Sequence, residues 1–246
     1  MKIVDQMGRE FHLKDTPQRV ISLVPSITEY LIDIGVEVVG RTKFCIHPSD
    51  KVSTIKVIGG TKNFRFDVIK ELQPDLIIGN KEENFEAGIN QLAENHPVWM
   101  SDISTLEDSF DMMTRLGQML NRKQAAENEV LQVSENLSKY KNTKNGKAVY
   151  LIWANPWMAA GQGTFISNLL SYVGYGNTIT EERYPVLTKE VLTHINPDKV
   201  LLSSEPFPFK SKHVDELKSL LPNAEILPVN GEAYSWYGSR LSKMVF

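Results

Sequence analysis

The residues with the clearest capacity for chemistry are a cysteine and a histidine two positions apart, Cys45 and His47. On a strand, positions i and i+2 face the same side, so the thiolate and the imidazole could converge on a soft metal ion. Two ligands are too few for a metal site, and the others would have to come from glutamates such as Glu82, Glu205 or Glu232. The alternative is a small buried cysteine beside a hydrogen-bonded histidine.

Sequence motifs of catalysis are absent from the chain. It has no Gly-x-Ser-x-Gly elbow, no phosphate-binding loop ending in Lys-Ser or Lys-Thr, no His-Glu-x-x-His and no dinucleotide fingerprint. These absences favour binding without turnover. We therefore expect a protein that is not an enzyme and requires no cofactor.

Large aromatic side chains follow the predicted strands of the second half, where open parallel sheets bind ligands. They are Trp153, Trp157, Phe207, Phe209, Tyr234, Trp236 and Tyr237. Large aromatic faces suit a flat or bulky apolar ligand with a few fixed polar contacts. Arg240 is available for a carboxylate or phosphate of that ligand. The alternative is that the aromatic side chains pack each loop onto its own lobe.

The elements that would position these residues are indicated by an internal repeat between residues 67–82 and 190–205. The repeat pairs Pro74 with Pro197, Asp75 with Asp198, and Glu82 with Glu205. In each copy, apolar residues at helical spacing precede the proline, which cannot continue a helix, and a short apolar run follows it. Each copy is therefore predicted to be a helix, a turn and a strand. One supersecondary unit carried twice predicts two similar lobes, with Glu82 and Glu205 as opposed acids of a cleft.

The flanks of each copy repeat the same order of elements. Residues 19–24 form a near-continuous apolar strand, and Ser26 with Glu29 matches a capping box for a helix that Gly35 ends. In the second half, residues 148–153 are the predicted strand and residues 165–173 the predicted helix. The sequence predicts an α/β protein with two similar lobes, each containing a parallel sheet covered by helices.

One long helix is predicted between the lobes, beginning near Arg122, because apolar residues from Ala126 to Tyr140 recur at helical spacing. The predicted division is an N-terminal α/β lobe over 1–105, a lobe-closing helix and backbone helix over 106–141, and a C-terminal α/β lobe over 142–246.

With these elements in place, the chain resembles the class III substrate-binding proteins of bacterial ABC importers, the helical-backbone receptors for cobalamin, ferric siderophores, haem and some metals. The resemblance rests on four motifs, at residues 19–29, 72–78, 184–190 and 236–240. It implies two α/β lobes joined by one long helix. It also implies a solute-binding protein that holds a corrinoid or another chelated-metal compound between its lobes and delivers it to an ABC permease dimer.

The same resemblance implies the ligand-binding residues. By position, Phe44 and Tyr184 take the aromatic roles of the cobalamin-binding members, and Thr61 stands where those members have a tryptophan. The complete expected set is Phe44, Thr61, Trp153, Tyr184, Glu205, Phe207, Trp236, Tyr237 and Arg240. The expected ligand is cobalamin or a chelated iron compound.

Two acids are implied as contacts to the permease, Asp67 and Glu190, which the repeat also pairs. Such a pair matches the geometry that a two-fold permease would need. The alternative is that both are simply acids in the first turn of a helix, where the helix dipole favours them.

Composition and the absence of targeting signals limit the remaining choices. A formal net charge of −3 gives no reason to expect nucleic acid, and no apolar run approaches the roughly 18 residues of a membrane helix. The resemblance implies a periplasmic or cell-surface monomer, whereas residues 1–9 have no apolar signal core, which predicts a cytoplasmic protein if the sequence is complete. Two alternatives follow: a leaderless cytoplasmic metal-binding protein or enzyme that uses Cys45 and His47, and a sensor that reports its ligand through Asp67 and Glu190.

Overall fold

A computed structural model describes residues 1–246, which divide into two compact units. Unit 1 comprises residues 1–103, 107–134 and 237–243, and unit 2 comprises residues 104–106, 135–236 and 244–246. The segment 237–243 therefore packs with the N-terminal unit, although it lies near the end of the chain. No helix combines the length and the apolarity that crossing a membrane requires.

Unit 1 is built on a five-stranded, all-parallel sheet in the order β5-β4-β3-β8-β9. Its elements in chain order, up to the helix shared with unit 2, are β1 (Lys2–Val4), β2 (Glu10–His12), β3 (Val20–Ser22), α1 (Pro25–Asp33), β4 (Val38–Arg41), α2 (Ser49–Val52), β5 (Lys56–Val57), β6 (Gly59–Gly60), β7 (Asn63–Phe64), α3 (Phe66–Leu72), β8 (Leu76–Asn80), α4 (Glu86–Ala93), β9 (Val98–Ser101), α5 (Leu106–Met119) and α6 (Lys123–Ser138). β1 with β2, and β6 with β7, form two separate antiparallel pairs. Ile21, Ile77 and Ile69 belong to the buried core of this unit.

Unit 2 is built on a six-stranded sheet in the order β13-β11-β10-β14-β15, with β12 also paired to β10. Its elements are β10 (Gly146–Trp153), β11 (Trp157–Ala159), α7 (Phe165–Tyr172), β12 (Tyr175–Asn177), β13 (Val186–Leu187), α8 (Lys189–Ile195), β14 (Lys199–Ser203), α9 (Ser211–Leu220), β15 (Glu225–Val229) and α10 (Gly231–Ser235). The last helix of the chain, α11 (Arg240–Lys243), belongs to unit 1. The predicted α/β class is confirmed, although β11 and β13 add an antiparallel edge to the otherwise parallel sheet of unit 2.

The duplicated helix, turn and strand are present in both units. α3 leads to β8, and α8 leads to β14. Each helix ends at a residue in the left-handed region, Gln73 with φ 46° and Asn196 with φ 44°, directly before the proline. The prolines occupy positions where the helix has already ended, because a proline cannot donate the next helical hydrogen bond.

The aspartate after each proline has a structural task. The Arg19 backbone N–H donates to Asp75 Oδ1 at 2.8 Å, and the Lys147 backbone N–H donates to Asp198 Oδ2 at 2.7 Å. These two N–H groups lie at or next to the start of β3 and β10. The carboxylates therefore tie the strand of each repeat copy to its neighbouring strand, which explains why the Pro-Asp pair occurs twice.

The predicted capping box of α1 is wrong. The helix begins at Pro25, and the preceding Val24 supplies no side-chain cap. Proline favours this first helical position because its ring already fixes the helical φ. Glu29 instead lies buried in unit 1. Its carboxylate accepts hydrogen bonds from Arg240 Nε at 2.7 Å and from Lys243 Nζ at 3.0 Å.

The predicted backbone helix begins close to its expected start and is shorter than expected. α6 has 16 residues and ends at Ser138, so Tyr140 lies beyond it. α5 and α6 are separate helices because Asn121 between them has φ 54°. The sequence-based division at residues 105 and 141 stays a prediction.

Candidate functional site

The Cys45 and His47 segment is a loop after β4, where the metal-site hypothesis required a strand. Cys45 Sγ is fully buried and lies 3.1 Å from the hydroxyl oxygens of both Thr28 and Thr42. Burial raises the pKa of the Cys45 thiol, which disfavours the thiolate that a metal would need. No group of three or more His, Cys, Asp and Glu side chains is arranged to hold a metal ion. The geometry supports the alternative of a small buried cysteine.

Phe44, in the same loop, projects outward over a pocket. Its side chain is 49% exposed, and the pocket has a volume of about 490 Å³. The walls are formed by the loop after β4, by β5 and by the β6–β7 hairpin with the residue that follows it, through Lys43, Phe44, Val57, Gly59, Gly60, Thr61, Lys62, Asn63 and Arg65. A Cβ on Gly60 would lie 3.3 Å from the Phe44 ring, so the absence of a side chain there lets the ring approach the hairpin backbone. Phe44 and Thr61, both predicted as ligand contacts, line this one pocket.

Three basic side chains of the pocket were missed by the sequence-based reasoning. Lys43 Nζ lies 4.9 Å from the centroid of the Phe44 ring, Lys62 Nζ donates to the Glu82 backbone carbonyl at 3.0 Å, and Arg65 lies 3.7 Å from the Asp67 carboxylate. The available signal was the position of Lys62 and Arg65 within five residues after Gly59-Gly60.

A larger cavity of about 550 Å³ lies elsewhere in unit 1. It is lined by residues that precede β3 and β4 and by the α5–α6 connection, including Gln18, Glu37 and Arg122. It therefore lies at the amino ends of the parallel strands. None of the predicted ligand contacts lines it, and ligands of such sheets bind at the opposite, carboxyl edge. For these reasons we take the smaller pocket beside Phe44 as the candidate site of unit 1.

In unit 2, an aromatic cluster surrounds the loop that follows β14. Trp153 is 40% exposed, and its ring centroid lies 5.0 Å from that of Phe207. Phe207 in turn contacts Phe209 and the buried His213, at 5.0 and 5.2 Å between centroids. The Lys210 backbone N–H donates to His213 Nδ1 at 2.8 Å, which fixes this ring at the start of α9. Trp153 is therefore a partly exposed ring that packs on the side chains of this cluster.

Glu205 and Trp236, both predicted as ligand contacts, bind each other. The indole Nε1 of Trp236 donates to Glu205 Oε1 at 3.1 Å, and the hydroxyl of Ser235 donates to the same oxygen at 3.3 Å. Trp236 is buried. The structure gives Glu205 the role of holding this tryptophan. Tyr184 is half-buried, with the Arg183 guanidinium 5.6 Å from the centroid of its ring.

Tyr237 and Arg240 are buried in unit 1, and Trp236 is also buried; their roles as ligand contacts stay predictions. Burial raises the pKa of Tyr237 well above its usual value, and its hydroxyl interacts with Ser26 and Ser101. The guanidinium of Arg240 is paired with the Glu29 carboxylate, so its charge is balanced within the protein. The prediction that Arg240 would receive an acidic group of the ligand stays untested, and the pair with Glu29 gives the guanidinium a structural role.

Asp67 and Glu190 occupy equivalent positions, the second residue of α3 and of α8, and both are exposed. Hydrogen bonds from its own backbone N–H and from the Thr188 hydroxyl lower the pKa of Glu190. This geometry satisfies the helix-dipole explanation and also leaves both carboxylates accessible to a partner.

Comparison with known proteins places the fold. A sequence model of the family described as "Periplasmic binding protein" matches residues 20–221. An uncharacterized ABC transporter substrate-binding lipoprotein, YvrC of Bacillus subtilis, is 22% identical over 220 residues, covering 81% of this chain and 68% of the relative.

Solved structures share the fold at low sequence identity. The catecholate-siderophore binding protein VctP of Vibrio cholerae aligns with a TM-score of 0.82 at 16% identity over 99% of this chain and 96% of its own. The vitamin B12 binding protein BtuF of Vibrio cholerae aligns with a TM-score of 0.78 at 19% identity over 93% of both chains. These are binding proteins and not enzymes. The chain belongs to the periplasmic binding protein family, as a class III substrate-binding protein.

Proposed function

We propose that the protein binds a chelated-metal compound, a ferric siderophore, haem or a corrinoid, as cargo for an ABC permease, with Phe44 as an aromatic contact. The observation that carries the proposal is the exposed Phe44 ring over an open pocket at the carboxyl edge of the unit 1 sheet. A large aromatic ring that stays in water gives up the stabilisation that burial in the core would provide. Such a ring at the mouth of a pocket is therefore typical of a ligand contact. The lipoprotein relative YvrC supports a place of action outside the cytoplasmic membrane.

Trp153 is proposed as the corresponding contact of unit 2. It lies at the end of β10, and its ring rests on Phe207 while 40% of its surface stays exposed. The remaining tryptophans, Trp99, Trp157 and Trp236, are buried. Quenching of the exposed tryptophan would therefore report directly on ligand bound at this side chain.

Loss of the Phe44 ring is expected to weaken ligand binding about tenfold, which corresponds to about 1.4 kcal/mol. Binding of haem, a ferric tricatecholate, a ferric trihydroxamate and cyanocobalamin would be measured by fluorescence quenching in the wild type and in Phe44→Ala, and by isothermal titration calorimetry in these two proteins and in Trp153→Ala, which lacks the reporting tryptophan. At least one compound should bind at micromolar concentration or tighter, and both variants should weaken it.

The matched control is Tyr172→Ala, because Tyr172 is 41% exposed at the end of α7 and outside the proposed contacts. Its affinity should equal that of the wild type. The proposal fails if none of the four compounds binds at tens of micromolar, or if Phe44→Ala binds as well as Tyr172→Ala does.

We further propose that Asp67 and Glu190 contact the permease. Their exposure and their equivalent positions in the two repeat copies support this role. Close charge pairs across protein interfaces have coupling energies of about 1.5–7 kcal/mol. We expect Asp67→Ala with Glu190→Ala to lower uptake of a radiolabelled chelate about tenfold or more in cells that depend on this protein, while the purified variant binds the chelate at least as tightly as the wild type, because Asp67 is the ion-pair partner of the pocket cation Arg65.

Glu71→Ala, on the exposed side of the same helix as Asp67, serves as the control and should leave uptake intact. If the two acids act only on the helix dipole, uptake will stay normal, and each single variant will be slightly less stable than the wild type in urea unfolding.

A further inference from the structure

We infer that the ligand is anionic, and that Lys43, Lys62 and Arg65 select it by charge. This inference rests on the proposed function, since it concerns the pocket beside Phe44. Among the residues that line this pocket, three carry a positive charge and none is an aspartate or a glutamate. The whole chain has the opposite balance, with a formal net charge of −3. The positive charge is therefore concentrated locally.

The donors of the three cations are only partly used within the protein. Lys62 Nζ makes one hydrogen bond, to the Glu82 carbonyl at 3.0 Å, and an ammonium has three donors. Arg65 lies 3.7 Å from the exposed Asp67 carboxylate, which is longer than the roughly 2.7–2.9 Å of a charge-assisted hydrogen bond. Donors of both side chains thus stay available to an oxygen-rich ligand.

The third cation, Lys43, lies over the ring of Phe44. Its ammonium lies 4.9 Å from the Phe44 centroid, within the range of a cation–π interaction. A planar or bulky group that packs on Phe44 therefore meets a positive charge at the same ring. The pocket offers an apolar face and positive charge together, which matches a compound that has aromatic surface and acidic oxygens.

This combination separates the candidate ligands by chemistry. Ferric tricatecholates carry net negative charge on aromatic rings, and haem carries two carboxylates on a flat macrocycle. A ferric trihydroxamate is neutral, and the side chains around the corrin of cyanocobalamin are mainly uncharged amides. Three like charges in one pocket repel one another, so an anion that neutralises them is favoured over a neutral compound of similar size.

The test compares the ferric tricatecholate and haem with the two neutral compounds, at ionic strengths of about 0.05 M and about 0.5 M, where the Debye length falls from about 14 Å to about 4 Å. The anionic compounds should bind more tightly and lose affinity with salt. The triple variant Lys43→Gln, Lys62→Gln and Arg65→Gln should weaken their binding about 10- to 100-fold and flatten the salt dependence.

A matched triple variant removes the same number of charges from exposed positions of unit 1 outside the pocket: Lys51→Gln, Lys56→Gln and Lys70→Gln. Its affinity for the anionic compounds should stay within about twofold of the wild type. Equal losses in the two triple variants would mean that net charge, and not the pocket, attracts the ligand, and would overturn the inference.

The outcomes also separate this inference from the proposed function. A neutral compound that binds tightly, loses affinity in Phe44→Ala and keeps it in the pocket triple variant would refute anion selection while the proposed function stands. Failure of all four compounds to bind would overturn both.

Discussion

Replacing Glu29 with leucine is expected to lower the free energy of unfolding by about 3–5 kcal/mol, because it leaves a buried guanidinium without its carboxylate. The side chains of Glu29 and Arg240 are only 4% and 8% exposed, and Nε lies 2.7 Å from Oε2. Lys243 bonds the second carboxylate oxygen and also Asp33, at 2.6 Å. Burial disfavours the charge of Lys243, yet the hydrogen bonds to Asp33 and Glu29 raise its pKa. The loss would be measured by urea unfolding followed by circular dichroism.

Two comparisons test whether the buried charge causes this loss. The double variant Glu29→Leu with Arg240→Leu should recover much of the stability, since it removes both buried charges. Removing the exposed pair Lys2 and Glu10, where each side chain is 56% exposed, should cost less than about 1 kcal/mol. A loss in Glu29→Leu no larger than that of the exposed pair would contradict the prediction.

Gly59→Ala is expected to cost about 2–4 kcal/mol and to disrupt the hairpin that carries Thr61 and Lys62 into the pocket. Gly59 has φ 114°, a conformation that L side chains rarely adopt, and a Cβ would lie only 2.2 Å from the Asn63 carbonyl oxygen. Because both the backbone conformation and the neighbouring backbone oppose a side chain, the hairpin must move. Stability would be measured by urea unfolding, and binding by the fluorescence assay described for Phe44.

The matched control is Gly176→Ala, in β12 of unit 2. A Cβ there would meet only one atom, the Gly146 carbonyl oxygen at 3.9 Å, which is ordinary contact. This variant should change stability by no more than about 0.5 kcal/mol. The prediction is contradicted if Gly59→Ala is as stable as Gly176→Ala and binds the ligand with the affinity of the wild type.

The features that sequence predicted well are local ones. The helix, turn and strand around Pro74 and around Pro197 were read from spacing within a few residues, and the structure places α3, β8, α8 and β14 there. Gln73 and Asn196 were not recognised as left-handed helix ends, since neither is a glycine. The hydrophobic period and the proline sufficed for the elements themselves.

The errors arose where a residue's partner is distant in the chain. Ser26 and Glu29 match the local pattern of a capping box, but the partner of Glu29 is Arg240, on the last helix of the chain. A local pattern contains no information on that pairing. The same pairing gives Arg240 a structural role that its position in the sequence did not indicate.

The candidate site was predicted in part for the same physical reason. Phe44 and Thr61 were placed by family resemblance, whereas Lys43, Lys62 and Arg65 look like ordinary solvated residues until the hairpin and the loop after β4 are seen to share one pocket. For Cys45, the argument that positions i and i+2 face one side assumed a strand, and the chain forms a turn there.

The return of residues 237–243 to the N-terminal unit has a consequence for biosynthesis. As the ribosome extends the chain, Glu29 emerges early, but Arg240 and Lys243, which neutralise it, are translated only after the whole of α10. Domains usually fold in the order of synthesis, whereas here the first unit cannot acquire its complete set of charges until Arg240 and Lys243 have been added. A chain that ends before residue 240 would therefore carry a buried, unneutralised Glu29 carboxylate in its N-terminal unit.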